Sequence, residues 1–308
     1  MNRSTARPAL ALVAGLALLA TGCSPADEET TPAPPRAAAT TTATATGGAS
    51  PSPSSPTGEC AKESLDTVTE GKLTIATDQP VYEPWFVDNK PENGKGHEGA
   101  VAAAVARQMG FTPHEVTWIR VKFDAAIAPG PKKFDFDINE FSITEKRRKA
   151  VDFSSPYYDA NQALITTGTS KAANAKSLAD LKDLEIGAQV GTTSYAVIPS
   201  LTTKKPKVYN NNDDAKKALE NGQVDAIVVD LPTAFYMTSA ELEDGRIIGQ
   251  LPSAVGGSAG EQFGLVLDKG SPLTECVSQA VDALAADGTL ERLEQEWLSQ
   301  AGDAPILE

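Results

Sequence analysis

Histidine and cysteine are scarce in this chain of 308 residues: two of the first and three of the second. A structural zinc site needs about four such ligands, so no metal is expected. Bases are short too, with 27 Lys and Arg against 41 Asp and Glu. Binding to nucleic acid needs clustered cations, and a formal charge of −14 argues against it. No stretch approaches the roughly 20 apolar residues that span a bilayer. What is present is a 41% hydrophobic content, enough for a real core. The length allows about two domains.

The first residues read as an address. Arg3 and Arg7 give a positive start, and Ala9 to Ala20 is apolar but too short to span a membrane. Residues 1–22 are therefore expected to be a signal peptide. The run Leu18-Leu19-Ala20-Thr21-Gly22-Cys23 resembles a bacterial lipobox, with Cys23 the lipidated first residue of the mature chain. It departs from many lipoboxes in having Ala20, not Leu, three places before the cysteine. Ordinary cleavage with a free Cys23 is the alternative. Between residues 24 and 59 there is no Leu, Ile, Val, Met, Phe, Tyr or Trp. Such a stretch buries too little to offset its ordering entropy. Residues 23–59 are expected to be a disordered Ala/Thr/Pro/Ser tether, anchored by lipid to the outer face of the cell membrane. Export implies an oxidising setting, so Cys60 and Cys276 are expected to form a disulfide; two separate buried thiols are the alternative.

From about Cys60 to Gln300, strand and helix patterns alternate. Strands are expected at 72–77, 114–120, 136–141, 185–190, 223–229 and 263–267. Helices are expected at 99–109, 123–128, after 193, at 213–221, and over Leu273 to Leu298. This alternation predicts an α/β fold with parallel sheets flanked by helices. Ligands on such sheets sit at the carboxyl ends of strands.

The most informative stretch is Phe136-Asp137-Ile138-Asn139-Glu140-Phe141-Ser142-Ile143-Thr144-Glu145-Lys146-Arg147, followed by Asp152-Phe153-Ser154-Ser155-Pro156-Tyr157. Other pieces follow in order: Thr77-Asp78 with Tyr82-Glu83-Pro84-Trp85, Gly96 to Gly99, Gly191-Thr192-Thr193, Gly222 to Ala226 running to Asp230, and Phe263-Gly264-Leu265. Together these resemble the amino-acid-binding branch of the bacterial extracellular solute-binding proteins, the receptors of polar amino-acid ABC importers. The resemblance covers nearly the whole folded part. It implies a two-lobed periplasmic-binding-protein type II fold, each lobe a mostly parallel sheet flanked by helices, joined by a two-strand hinge. Residues 60–160 and 256–308 would form lobe I and residues 161–255 lobe II. A free amino acid would be caught between closing lobes and passed to a permease and its ATPase subunits. The protein is expected to act as a monomer, without a cofactor or catalytic residues.

An amino acid carries a carboxylate and an ammonium, and both must be satisfied once water is removed. Arg suits the carboxylate because it is always charged and donates in pairs. Arg147 takes that role by resemblance, although a basic run such as 146–149 is ordinarily a solvated surface. Thr192 and Thr193, at a strand-to-helix turn, would add donors. Asp230 would meet the ammonium, with Ser142 and the backbone of Glu140 completing the cage. Tyr82 and Phe123 would sandwich the aliphatic part, and Asp78 lies close by. Trp85 and Trp118 are expected to be packing residues, and His97 and His114 to lie on the surface. Glu83, Glu140 and Asp78 tilt the expected ligand toward a polar or basic side chain, such as arginine, lysine, histidine or glutamine. Gln189 stands where some relatives that bind acids or amides carry Lys. Competing readings are an enzyme on the same fold, such as a cyclohexadienyl-type dehydratase, and a sensor for signalling. The binding-like half of a lytic transglycosylase also looks similar, but no second catalytic domain is expected.

Overall fold

The computed structural model describes residues 58–253, 255, 261–298 and 304–308. The expected leader over 1–22, Cys23 and most of the expected tether over 23–59, up to residue 57, lie outside them; Gly58 and Glu59, expected to end that tether, instead form a short 3-10 turn with Cys60. Two five-stranded sheets organise the chain. The first contains β1 (Leu73–Thr77), β2 (Val116–Arg120), β3 (Phe136–Asp137), β4 (Asp152–Ala160) and β10 (Glu261–Leu267), in the order β2-β1-β3-β10-β4. The second contains β5 (Gln162–Thr167), β6 (Ile186–Gln189), β7 (Lys207–Tyr209), β8 (Ala226–Asp230) and β9 (Gly245–Gln250), in the order β7-β6-β8-β5-β9. Among the described residues, no helix is long and apolar enough to cross a membrane.

The two-sheet α/β architecture matches the expected fold class, but the sheets are mixed rather than mostly parallel. β1 pairs in parallel with β2 and β3, and β6 with β7 and β8. β10 runs antiparallel to β3 and β4, and β5 to β8 and β9. Each antiparallel strand lies next to the point where the chain changes sheets. It leaves the first sheet between β4 and β5, at Asn161, and returns after β9 into β10. The long strands β4 and β5 were not among the expected ones. Their Tyr, Thr, Ser and Gln content hides the period-2 alternation.

Helices cover both faces of both sheets. α1 (His97–Gln108) owes its stability to an alanine-rich sequence and a buried stripe that includes Val101, Ala102 and Val105. It ends in a Schellman turn: Gly110, at φ +88°, donates to Arg107, and Phe111 donates to Ala106. With α7 (Thr274–Ala286) and α8 (Thr289–Leu298), α1 packs on one face of the first sheet around Ile75, Phe136 and Leu265. Phe123, Phe141, Phe153 and Val266 fill the other face. The second sheet also has two cores, one around Leu164, Ile186 and Ile198, the other around Ile165, Ile227 and Leu219.

Three expectations need correction. His97 is not a surface residue but fully buried, edge-on to Trp85 and Tyr158 with ring centroids 5.7 Å and 5.3 Å away. Burial lowers its pKa to about 3 and keeps it neutral; the glycine-flanked helix start hid how deep it lies. The strand expected over 136–141 is only two residues long, because the chain turns out of the sheet to reach Glu140. Finally, the chain end does not stay with residues 256–308 in lobe I. Residues 304–308 join the second sheet, where Ile306 bridges Gln250 and Leu307 enters the core.

Cys60 and Cys276 are bonded, with Cα atoms 5.3 Å apart and a sequence separation of 216. The bond ties the start of the described chain to α7. Replacing both cysteines with serine is expected to lower the unfolding free energy by about 2–4 kcal/mol, read from denaturant melts; unchanged stability would show that the link constrains little.

Candidate functional site

The carboxyl ends of β1, β2, β3, β6 and β8 lead to one cavity between the two sheets. Asp78 follows β1, and Phe123 lies just past β2. Asn139, Glu140, Ser142 and Arg147 follow β3, Thr192 and Thr193 follow β6, and Asp230 ends β8. All nine residues expected to touch a ligand therefore line the same cavity. Glu83 does not line it and lies near Tyr236 instead.

Arg147 sits on the one-turn helix α3 (Glu145–Arg148), whose start is capped by Thr144. That turn points the guanidinium inward, and Arg147 is buried at 7% exposure. Nη1 donates to the Ser142 carbonyl at 2.6 Å and Nη2 to the Gly191 carbonyl at 3.0 Å. The guanidinium also lies over the Phe123 ring, 5.4 Å from its centroid, and Phe123 stacks on Phe141 at 4.7 Å. Gly191 adopts φ +79°, a conformation that favours glycine. Burial lowers the Arg147 pKa to about 10, against the pull of Glu261 and Asp230, so it stays charged at neutral pH.

Opposite this cation lies a group of acids. Glu140 has φ +52°, an uncommon value for a residue other than glycine. Its N–H donates to Glu98 Oε1 at 2.6 Å, and Thr233 Oγ1 donates to its Oε2 at 3.3 Å. Loss of water, then the nearby Asp230 charge, pushes the Glu140 pKa well above the usual range. Asp230 is pushed up to about 8, first by burial and then by Glu261. Glu98, fully buried under the site, accepts from Tyr157 Oη and is raised to about 7 by burial. The site holds more carboxyl groups than it can ionise together.

Several expected residues also serve the chain itself. Asp78 accepts from the N–H groups of Gln79 at 2.6 Å and Phe123 at 3.2 Å, fixing the turn after β1. Thr192 caps α4 (Thr193–Leu201), accepting from Tyr195 N–H at 3.0 Å and donating to the Gln189 carbonyl at 2.7 Å. The first turn of α4, at Thr193 and Ser194, remains on the cavity wall. Tyr82 Oη accepts from Asp213 N–H at 3.4 Å.

Sequence reasoning missed Thr233, Gln162 and Glu261. Trp85, expected only to pack, donates through Nε1 to Thr233 Oγ1 at 2.8 Å, linking the two halves. Gln162 donates to Thr193 Oγ1 at 2.8 Å and to Glu261 Oε1 at 3.1 Å. The Asn161 crossing and the start of β10 bring these two together, and neither carries a local motif. Ser142 Oγ and Thr193 Oγ1 are 3.2 Å apart, so the halves are in contact across the cavity.

This arrangement, one buried cation facing several carboxyls at the ends of parallel strands, agrees with what comparison with known proteins finds. The family of bacterial extracellular solute-binding proteins, family 3, matches residues 73–300. The chain belongs to that family. It is 27% identical over 238 residues to an L-cystine-binding protein of Escherichia coli, covering 76% of this chain and 85% of that one. It is 28% identical over 242 residues to an L-arginine-binding protein of Pseudomonas aeruginosa, covering 73% and 90%. An ancestral arginine-binding protein solved with arginine superposes with a TM-score of 0.61 and 32% identity, covering 74% of this chain and 98% of that one.

The raised acids make stability depend on pH. Between its unfolded value and its raised folded value, each holds a proton that the unfolded chain has lost, so stability falls as pH rises. His97 works the other way, but only below its unfolded value of 6.5. From pH 6.5 to about 8, where Asp230 titrates, the unliganded protein is expected to lose about 1.4 kcal/mol per pH unit for each acid still protonated. Thermal melts at the two ends of that window check the sign; a higher melting temperature at pH 8 would contradict it.

Proposed function

We propose that this protein captures a free amino acid outside the cytoplasm and presents it to an ABC importer, and that its preferred ligand is basic. The observation that carries this reading is Arg147 facing Glu140 and Asp230 across one cavity. The ligand α-carboxylate would pair with the remaining N–H groups of Arg147 and with the first turn of α4. Its ammonium would lie between Asp230 and the Glu140 turn. Tyr82 would cover the side chain; Phe123, already stacked on Phe141, would act chiefly as the support for Arg147. A zwitterion brings no net charge and would leave the excess of acids unrelieved. A second cation, as in arginine or lysine, would let Glu140 or Asp230 ionise. The named activities of the relatives, which bind arginine and cystine, support an amino acid as the ligand class.

In this reading, the first sheet with α1, α7 and α8 is lobe I and the second sheet is lobe II, hinged near Asn161 and before Glu261. Ligand binding favours closure because it touches both lobes. Cys23 would carry the lipid and the Ala/Thr/Pro/Ser segment would tether a monomeric receptor to the membrane. The residues at the cavity are assigned to binding rather than to catalysis.

A thermal-shift panel of common amino acids tests the proposal. Arginine or lysine is expected to give the largest rise, about 2.7 kcal/mol at 100 times the dissociation constant. Arg147→Ala should abolish it, since breaking a buried charge pair costs about 3–5 kcal/mol. Because a cationic ligand displaces protons from raised acids, its affinity should tighten between pH 6.5 and 8. A panel without any shift would reject the function; a best shift with glutamate would reject the basic ligand.

A further inference from the structure

Resting on the amino-acid-receptor reading, we propose that Glu261 is an internal competitor for the ligand's α-carboxylate and so sets how tightly the pocket holds its ligand. Glu261 opens β10, where the chain re-enters the first sheet. Its Oε2 accepts from Ser142 Oγ at 2.9 Å and from Thr193 Oγ1 at 2.9 Å, and its Oε1 accepts from Gln162 Nε2 at 3.1 Å. Ser142 comes from the segment after β3; Gln162 and Thr193 belong to β5 and α4. A carboxylate of the chain itself thus draws on donors from both halves, as an amino-acid carboxylate between them would.

The competition follows from counting protons. Each hydroxyl has one hydrogen to donate. While Ser142 and Thr193 give theirs to Glu261, neither can donate to a ligand. Both residues line the cavity, whereas Glu261 does not; it lines the adjoining cleft together with Arg147, Gln162 and Thr193. Its charge also acts on the same cation: Arg147 is held toward its charged form by Glu261 before Asp230. An incoming carboxylate must therefore share Arg147 with Glu261, be repelled by it, and find the Ser142 and Thr193 hydroxyls turned away. A ligand with an extra cation offsets that repulsion better than a plain zwitterion does.

Glu261→Gln keeps the shape and an acceptor but removes the charge. Calorimetric titration with L-arginine is expected to show a dissociation constant about tenfold lower than the parent's, the scale of one charge-assisted hydrogen bond. Glu261→Ala, which empties the position, should move affinity in the same direction. The gain from Glu261→Gln should shrink when Ser142→Ala is also present, because the contested donor is then gone; a purely structural effect would leave the gain unchanged. Melting temperatures near the parent's would show that the variants are folded. Equal or weaker binding by both Glu261 variants, with the parent binding normally, would overturn the competitor alone. A parent that binds no amino acid would instead overturn the receptor reading.

Discussion

A guanidinium removed from water has to be answered by acceptors, and the placement of Arg147 organises much of the cavity around that need. Two carbonyls, an aromatic face and the more distant carboxylates share the task. Ser142 gives one carbonyl from the first half and Gly191 the other from the second. The same cation therefore needs both sheets to be satisfied, and the two halves meet where it points. Phe123 and Phe141 form the platform beneath it, and the α3 turn capped by Thr144 aims it.

The acids opposite are the counterpart to that cation, but they exceed it in number. Glu98 holds the Glu140 turn in place, Glu140 reaches Thr233, and Thr233 receives the Trp85 indole. This chain of hydrogen bonds runs from the base of α1 in the first half to the helix after β8 in the second. Glu98, Glu140 and the neighbouring Asp230 cannot all carry charge in so dry a setting, so protons stay on some of them.

Much of the fold and part of the site were legible in advance. Alternating helix and strand patterns located β1, β2, β6 and β8 together with α1, α5 (Asn212–Glu220) and the closing helices. Those strands lead directly to the site, so their ends could be read from local patterns. The family-like order of short segments marked Arg147, Thr193 and Asp230. Less visible were β4 and β5, whose polar residues mask their alternation, and the depth of His97. Glu261, Gln162 and Thr233 have no neighbouring signal; each matters because of what lies across from it.

Sequence alone determined the scarcity of metal ligands, the acidic balance, the apolar run from Ala9 to Ala20, the pairing of Cys60 with Cys276 as an expectation, and the residue types able to hold a zwitterion. Those are properties of composition and local order, where each residue speaks for itself or for its near neighbours. Tertiary structure decided which acids would crowd together, that Asp78 and Thr192 would spend hydrogen bonds on the chain's own backbone, and that Glu261 would take the hydroxyls beside Arg147. Such outcomes depend on distances between segments far apart in sequence. Only the closing of two sheets on one cavity brings those segments within hydrogen-bonding reach.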